Sequence, residues 1–106
     1  MLGYMGLVKQ VDDYLGRLFA FMQARGLMEN TMIVFTADHS DYLGDHWLGE
    51  KEFMYEQGVR IPLIVSDPSS PQTHGTVSQA LVEAVDLVPT FLETMGQPLP
   101  THWLEG

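Results

Sequence analysis

The chain has 106 residues, of which 45% are apolar and 18% charged, so its composition is that of a globular domain and not of a disordered tail. Its net charge is −9, and the five basic residues (Lys9, Arg17, Arg25, Lys51, Arg60) are scattered, which excludes the clustered positive footprint that nucleic acid or an anionic membrane surface requires. There is no cysteine, so a disulfide framework, a thiolate metal site and a cysteine nucleophile are all excluded within these residues.

Residues 3–25 predict one amphipathic helix. Tyr4, Val8, Val11, Leu15, Leu18 and Met22 step by three and four, which keeps them on a single stripe suited to packing on a sheet. Gly26 follows Arg25 as a C-terminal glycine behind a cation. Residues 31–37, TMIVFTA, carry no charge and are rich in β-branched and aromatic side chains. They predict a strand covered on both faces, as in a parallel sheet, with the preceding helix as part of a crossover. Residues 38–58 predict a long loop with short helical turns, a length at which loops are usually functional or disordered. RIPLIVS (60–66) predicts a second strand, with Pro62 near its start, where a missing N–H is tolerated. SDPSSPQTHG (66–75) is rich in turn residues, and 76–85 suits strand and helix equally. Asp86 is placed to cap a short helix over 87–95, with Pro89 in its first turn and Gly96 after its last. Residues 97–106 read as an irregular tail. No linker divides the chain, which predicts a single domain over 1–106.

No apolar run approaches the roughly 20 residues of a membrane-spanning helix, and the first residues lack the pattern of a secretory leader. No membrane contact is expected, and the cytoplasm is the expected compartment.

The chemistry concentrates in TADHSDYLGDHW (36–47), where Asp38, His39, Asp41, Asp45 and His46 follow directly on the first strand. Neighbouring side chains of a regular strand point to opposite faces, so Asp38 and His39 serve one site only if the backbone turns there. The carboxyl end of a strand is where open α/β sheets place their ligands. A carboxylate with an imidazole suits Mn²⁺, Zn²⁺ or iron better than Ca²⁺, which takes oxygen ligands almost exclusively. Two readings of the pair stay open at this point: half of a hydrolytic metal site, or a capped turn with a hydrogen-bonded loop histidine. Asp41, Asp45 and His46 read as loop residues, His74 and His102 as surface residues, and Arg60 as a partner for Glu56. Lys51 is either solvated or, if the loop folds back, a point charge for a phosphate or sulfate oxygen. Tyr42, Trp47, Phe53 and Tyr55 either line a pocket or anchor the loop.

Four blocks in order, YMGLVKQVDDYLGRL (4–18), FTADHSDYLGDHW (35–47), KEFMYEQGVRIPLIV (51–65) and VDLVPTFLETMG (85–96), resemble the C-terminal part of the catalytic domain of sulfatases, within the alkaline phosphatase-like superfamily. The Asp-His pair is most similar to that of phosphonate monoester hydrolases. The resemblance implies a partial, truncated α/β three-layer sandwich, with a mostly parallel sheet flanked by helices. It implies Asp38 and His39 as metal ligands and Lys51 as the residue contacting the substrate oxyanion or leaving group. Ser40 departs from the glycine common after Asp-His.

The family's nucleophile is a formylglycine made from the cysteine of a C-x-P-x-R motif near the N-terminus. That motif has no counterpart here, since Ser69-Ser70-Pro71-Gln72-Thr73 lacks the arginine and follows the metal pair. The resemblance therefore implies a fragment of a divalent-metal hydrolase acting on small phosphonate, phosphate or sulfate esters. The fragment by itself is expected to be inactive and, with its strands short of partners, to self-associate. The alternative of another class is a degenerate, non-catalytic module kept for binding or assembly. A further enzyme alternative is another branch of the superfamily, such as a phosphodiesterase or phosphoglycerate mutase.

Overall fold

The computed structural model describes residues 2–99. His102 and most of the tail anticipated over 97–106 lie outside the described residues. The chain divides into two compact units at Gly75 and Thr76.

The first unit opens with α1 (Leu2–Ala24). Its end is fixed by Gly26, whose φ is +66°. The Leu27 N–H reaches the Met22 carbonyl at 2.9 Å and the Gly26 N–H reaches the Gln23 carbonyl at 3.1 Å. This paired closure needs a left-handed residue, which glycine supplies without a Cβ penalty. The apolar stripe of α1 is real, but it does not pack on the sheet as its sequence suggests. Only Met22, in the last turns, is buried, while Val8, Val11 and Leu18 lie exposed.

A turn at Met28–Asn30 leads into β1 (Ile33–Thr36). After the long loop come α2 (Glu56–Val59) and β2 (Leu63–Ser66). The two strands form a two-stranded sheet. Their pairing is antiparallel, with Ile33 opposite Ser66 and Thr36 opposite Leu63. This corrects the parallel arrangement and double-sided cover expected from the unbroken apolar pattern. A parallel return needs a crossover of a dozen or more residues, usually helical, that carries the chain back to the starting end. The connection from 37 to 62 contains only single helical turns, so the chain comes back along β1 in the opposite sense. Nor are the strands covered: β1 is half-buried at Ile33 and Val34 and exposed beyond, and all of β2 is exposed. Among the described residues, the buried apolar side chains are Met22 and Tyr42 alone.

In the second unit, residues 76–83 form neither strand nor helix. A turn at Ala84–Asp86 runs into α3 (Leu87–Thr94). Asp86 is not the side-chain cap of α3 that its position suggested. Its backbone is already helical, and its Oδ2 instead accepts from the Glu83 N–H at 2.8 Å. The preceding turn takes up the carboxylate because its own N–H groups are orphaned first along the chain. Gly96, with φ +65°, closes α3 in the same way that Gly26 closes α1. The Gln97 N–H reaches the Leu92 carbonyl at 2.8 Å, and the Gly96 N–H reaches the Glu93 carbonyl at 2.9 Å.

Candidate functional site

β1 ends at Thr36, and the backbone turns over Ala37 to His39. The turn makes two neighbouring side chains converge. Asp38 Oδ1 accepts from the His39 N–H at 3.0 Å, while Asp38 Oδ2 lies 3.4 Å from His39 Nε2. His39 Nδ1 sits 2.9 Å from the Ser40 carbonyl oxygen. A carbonyl only accepts, so Nδ1 carries the proton and Nε2 is left as the acceptor. Lys51 comes back over the loop and brings Nζ to 2.7 Å from that Nε2. The Lys51 ammonium donates and Nε2 accepts, which fixes the same tautomer from the other side.

The His39 N–H, aided by smaller effects that include the Lys51 charge, holds the Asp38 carboxyl below its ordinary value. The carboxylate is thus charged through the neutral range, ready to meet a cation.

The loop that carries Lys51 is built around Tyr42, which is 1% exposed. Its Oη donates to the Phe53 carbonyl at 2.8 Å and accepts from the Tyr55 N–H at 3.3 Å. Its own N–H donates to the Glu50 carbonyl at 3.0 Å. Gly58 lets the ring in, because a Cβ there would stand 2.7 Å from Oη. Tyr42 therefore anchors the loop, one of the two roles its aromatic character allowed. Trp47 anchors nothing and is 100% exposed, and Phe53 is also exposed.

Asp41 and the second histidine of the cluster shape this loop. Asp41 Oδ1 accepts from the Leu43 N–H at 2.7 Å, a local turn of the kind aspartate favours. His46 stacks on Tyr55 with ring centroids 4.4 Å apart, and its Nε2 lies 3.3 Å from Gln57 Oε1. Arg60 lies 3.6 Å from Glu56, an exposed pair of little energetic weight. His74 Nε2 lies 3.0 Å from the Asp67 carbonyl, in an exposed position.

The residues at the strand end suit a divalent ion. An imidazole that gives one ring N–H to a backbone carbonyl and offers the other nitrogen is the usual metal-ligating arrangement. The Lys51 ammonium stands where that lone pair and the carboxylate face a positive charge. Among the described residues, no group of three or more His, Cys, Asp or Glu is placed to hold a metal ion. Sequence reasoning named Asp38, His39 and Lys51. It did not name Gly58 or Gln57, although a glycine inside the helical turn YEQGV signals a close backbone approach.

The sulfatase family model matches residues 1–97. This chain belongs to the sulfatase family. It is 38% identical over 97 residues to the multifunctional alkaline phosphatase superfamily protein PehA of Trinickia caryophylli, covering 92% of this chain and 19% of that protein. It is 39% identical over 101 residues to an N-acetylglucosamine-6-O-sulfatase of Bacteroides thetaiotaomicron, covering 95% of this chain and 18% of that enzyme. Among solved structures, one in complex with its substrate D-glucosamine-2-N,6-O-disulfate matches with a TM-score of 0.84 and 39% identity, over 89% of this chain and 19% of that one. The sulfatase-family chain described here thus spans about a fifth of the length of the relatives it matches. The α/β class and the partial, sulfatase-like architecture read from its sequence agree with that match.

Proposed function

We propose that this chain supplies part of the active site of a metal-dependent, sulfatase-type hydrolase of small phosphonate, phosphate or sulfate esters. Asp38 and His39 contribute two ligands to one divalent ion, Mn²⁺ or Zn²⁺ in preference to Ca²⁺. Lys51 holds a non-bridging oxygen of the ester and neutralises the charge that grows there as the bond to the leaving group breaks. The observation that carries this reading is the convergence of Asp38 Oδ2, His39 Nε2 and Lys51 Nζ at the turn after β1. The related enzyme's sulfated sugar substrate supports an anionic ester as the ligand class.

A bound divalent ion would polarise the ester oxygen, and a formylglycine outside these residues would supply the nucleophile. What this chain contributes is orientation. The Ser40 carbonyl fixes the His39 tautomer, the His39 N–H keeps Asp38 ionised, and the loop presents a cation from the opposite side. Without the nucleophile and the remaining ligands, the 106 residues alone turn over no ester.

Calorimetric titration of the chain with Mn²⁺ and with Zn²⁺, beside Asp38→Ala, tests the reading. Micromolar binding that is lost in the variant supports the half-site. Binding unchanged by the substitution removes the support for a metal role of Asp38 and favours the non-catalytic module, whereas no binding at all means that the ligands outside these residues are indispensable. Hydrolysis of an aryl phosphonate by the metal-loaded chain would refute the assignment of the nucleophile to residues elsewhere.

A further inference from the structure

We propose that Tyr42 is the positioning residue that holds Lys51 against His39. The inference rests on the roles just given to Lys51 and to Asp38 and His39. Lys51 lies between two backbone points that a single residue ties down. The Tyr42 N–H binds the Glu50 carbonyl on one side, at 3.0 Å. The Tyr42 hydroxyl binds the Phe53 carbonyl on the other, at 2.8 Å, and the Tyr55 N–H beyond it, at 3.3 Å.

Tyr42 is only three residues from His39, so the clamp joins the segment that carries the Asp-His pair to the segment that carries the lysine. The joint is also closed from beneath. The Ser40 N–H binds the Gly58 carbonyl at 3.3 Å, and Gly58 has no Cβ to push the ring out.

The clamp acts against the intrinsic preference of the chain. Glu50 and Phe53, which flank Lys51, sit at φ +61° and +76°. Side chains with a Cβ rarely hold that region unless their surroundings impose it. Once the hydroxyl is removed, the segment is free to relax toward ordinary φ values, and the Lys51 backbone moves with it. The 2.7 Å contact with His39 Nε2 is exposed to solvent and too weak to hold the loop by itself. Order therefore runs from the buried tyrosine to the exposed lysine.

The test compares Tyr42→Phe, Lys51→Ala and the double variant in the full 106-residue chain, by NMR at one pH above the ordinary imidazole range. The ¹⁵N shift of His39 Nε2 reports the hydrogen bond from Lys51. The exchange rate of the Tyr55 amide reports the clamp. Tyr42→Phe is expected to move the Nε2 shift to its value in Lys51→Ala, with no further change in the double variant. Tyr55 exchange rises about five- to tenfold, the loss of one net hydrogen bond. The helical dichroism of α1 stays as it was.

Gly58→Ala, whose Cβ would stand 2.7 Å from the hydroxyl and so displaces Tyr42 with its side chain chemically intact, moves the Nε2 shift in the same direction. An Nε2 shift in Tyr42→Phe equal to that of the unsubstituted chain would overturn the proposal. So would a double variant that departs well beyond Lys51→Ala, since a general loosening adds to the loss of the lysine. These readouts need no metal, so they stand apart from the Asp38→Ala titration. Binding unchanged in that titration would remove the metal role of Asp38 and leave the clamp intact.

Discussion

Asp67 turns the chain out of β2, and it shows how a single short side chain sets a local titration. Its two carboxylate oxygens both take the Ser69 hydroxyl at 2.8 Å, and Oδ1 also takes the Ser69 N–H at 2.9 Å. The hydroxyl, followed by the N–H, holds the Asp67 carboxyl below its ordinary value of 3.8. A depressed carboxylate stabilises the folded turn above its unfolded value and loses that contribution as the pH falls through the lowered one. The Asp67 hydrogen bonds to Ser69 therefore persist to pH values below 3.8. A ¹³C titration of the Asp67 carboxyl will show a midpoint below that value, and Ser69→Ala will bring it back up. A midpoint that ignores the serine would remove the hydroxyl as the cause.

At the scale of the element, two glycines of α1 make opposite predictions. Gly26 is at φ +66° beyond the helix end. Alanine there must take a left-handed backbone, and Gly26→Ala costs about 1 kcal/mol. Gly16 lies within α1, and nothing stands within 4 Å of an added Cβ. Gly16→Ala removes backbone freedom from the unfolded chain and stabilises by roughly 0.5–1 kcal/mol. Thermal melts followed by circular dichroism at a helical wavelength will separate the two. Equal shifts of the same sign would mean that the left-handed position does not close α1. The strands behave differently, since their apolar side chains have little within this chain to rest on. Their β-branched pattern predicts that a strand forms, but not what covers it.

At the scale of the whole molecule, large apolar side chains of the described residues lie at the surface, with Leu7 61% and Val65 49% exposed. Both strands offer an open edge, and Ile64 in β2 is 62% exposed. Open edges and apolar faces pair with whatever is available, and in a pure solution that is another copy. The chain is expected to self-associate with rising concentration in light scattering, and Ile64→Lys on β2 should weaken that association. A monodisperse monomer at every concentration would contradict this. No helix among the described residues is long and apolar enough to cross a membrane.

The sequence by itself determined the local elements and the place of the chemistry. Threefold and fourfold apolar spacing made α1, terminal glycines at 26 and 96 closed two helices, and the acids and histidines after β1 marked the candidate site. These rest on interactions within a few residues, which a linear pattern records. The sequence did not determine strand direction, because an apolar run states that both faces need cover and says nothing of which way the partner runs. The antiparallel register followed from a connection too poor in helix to act as a crossover. Nor did the residue pattern alone bring Lys51 to Asp38 and His39, which only the resemblance to sulfatases implied. That meeting depends on Tyr42 reaching residues 11 and 13 positions further on, and on the missing side chain of Gly58. Contacts across that separation are decided by which loop closure buries the ring with its hydroxyl satisfied, and only the tertiary structure fixes that choice.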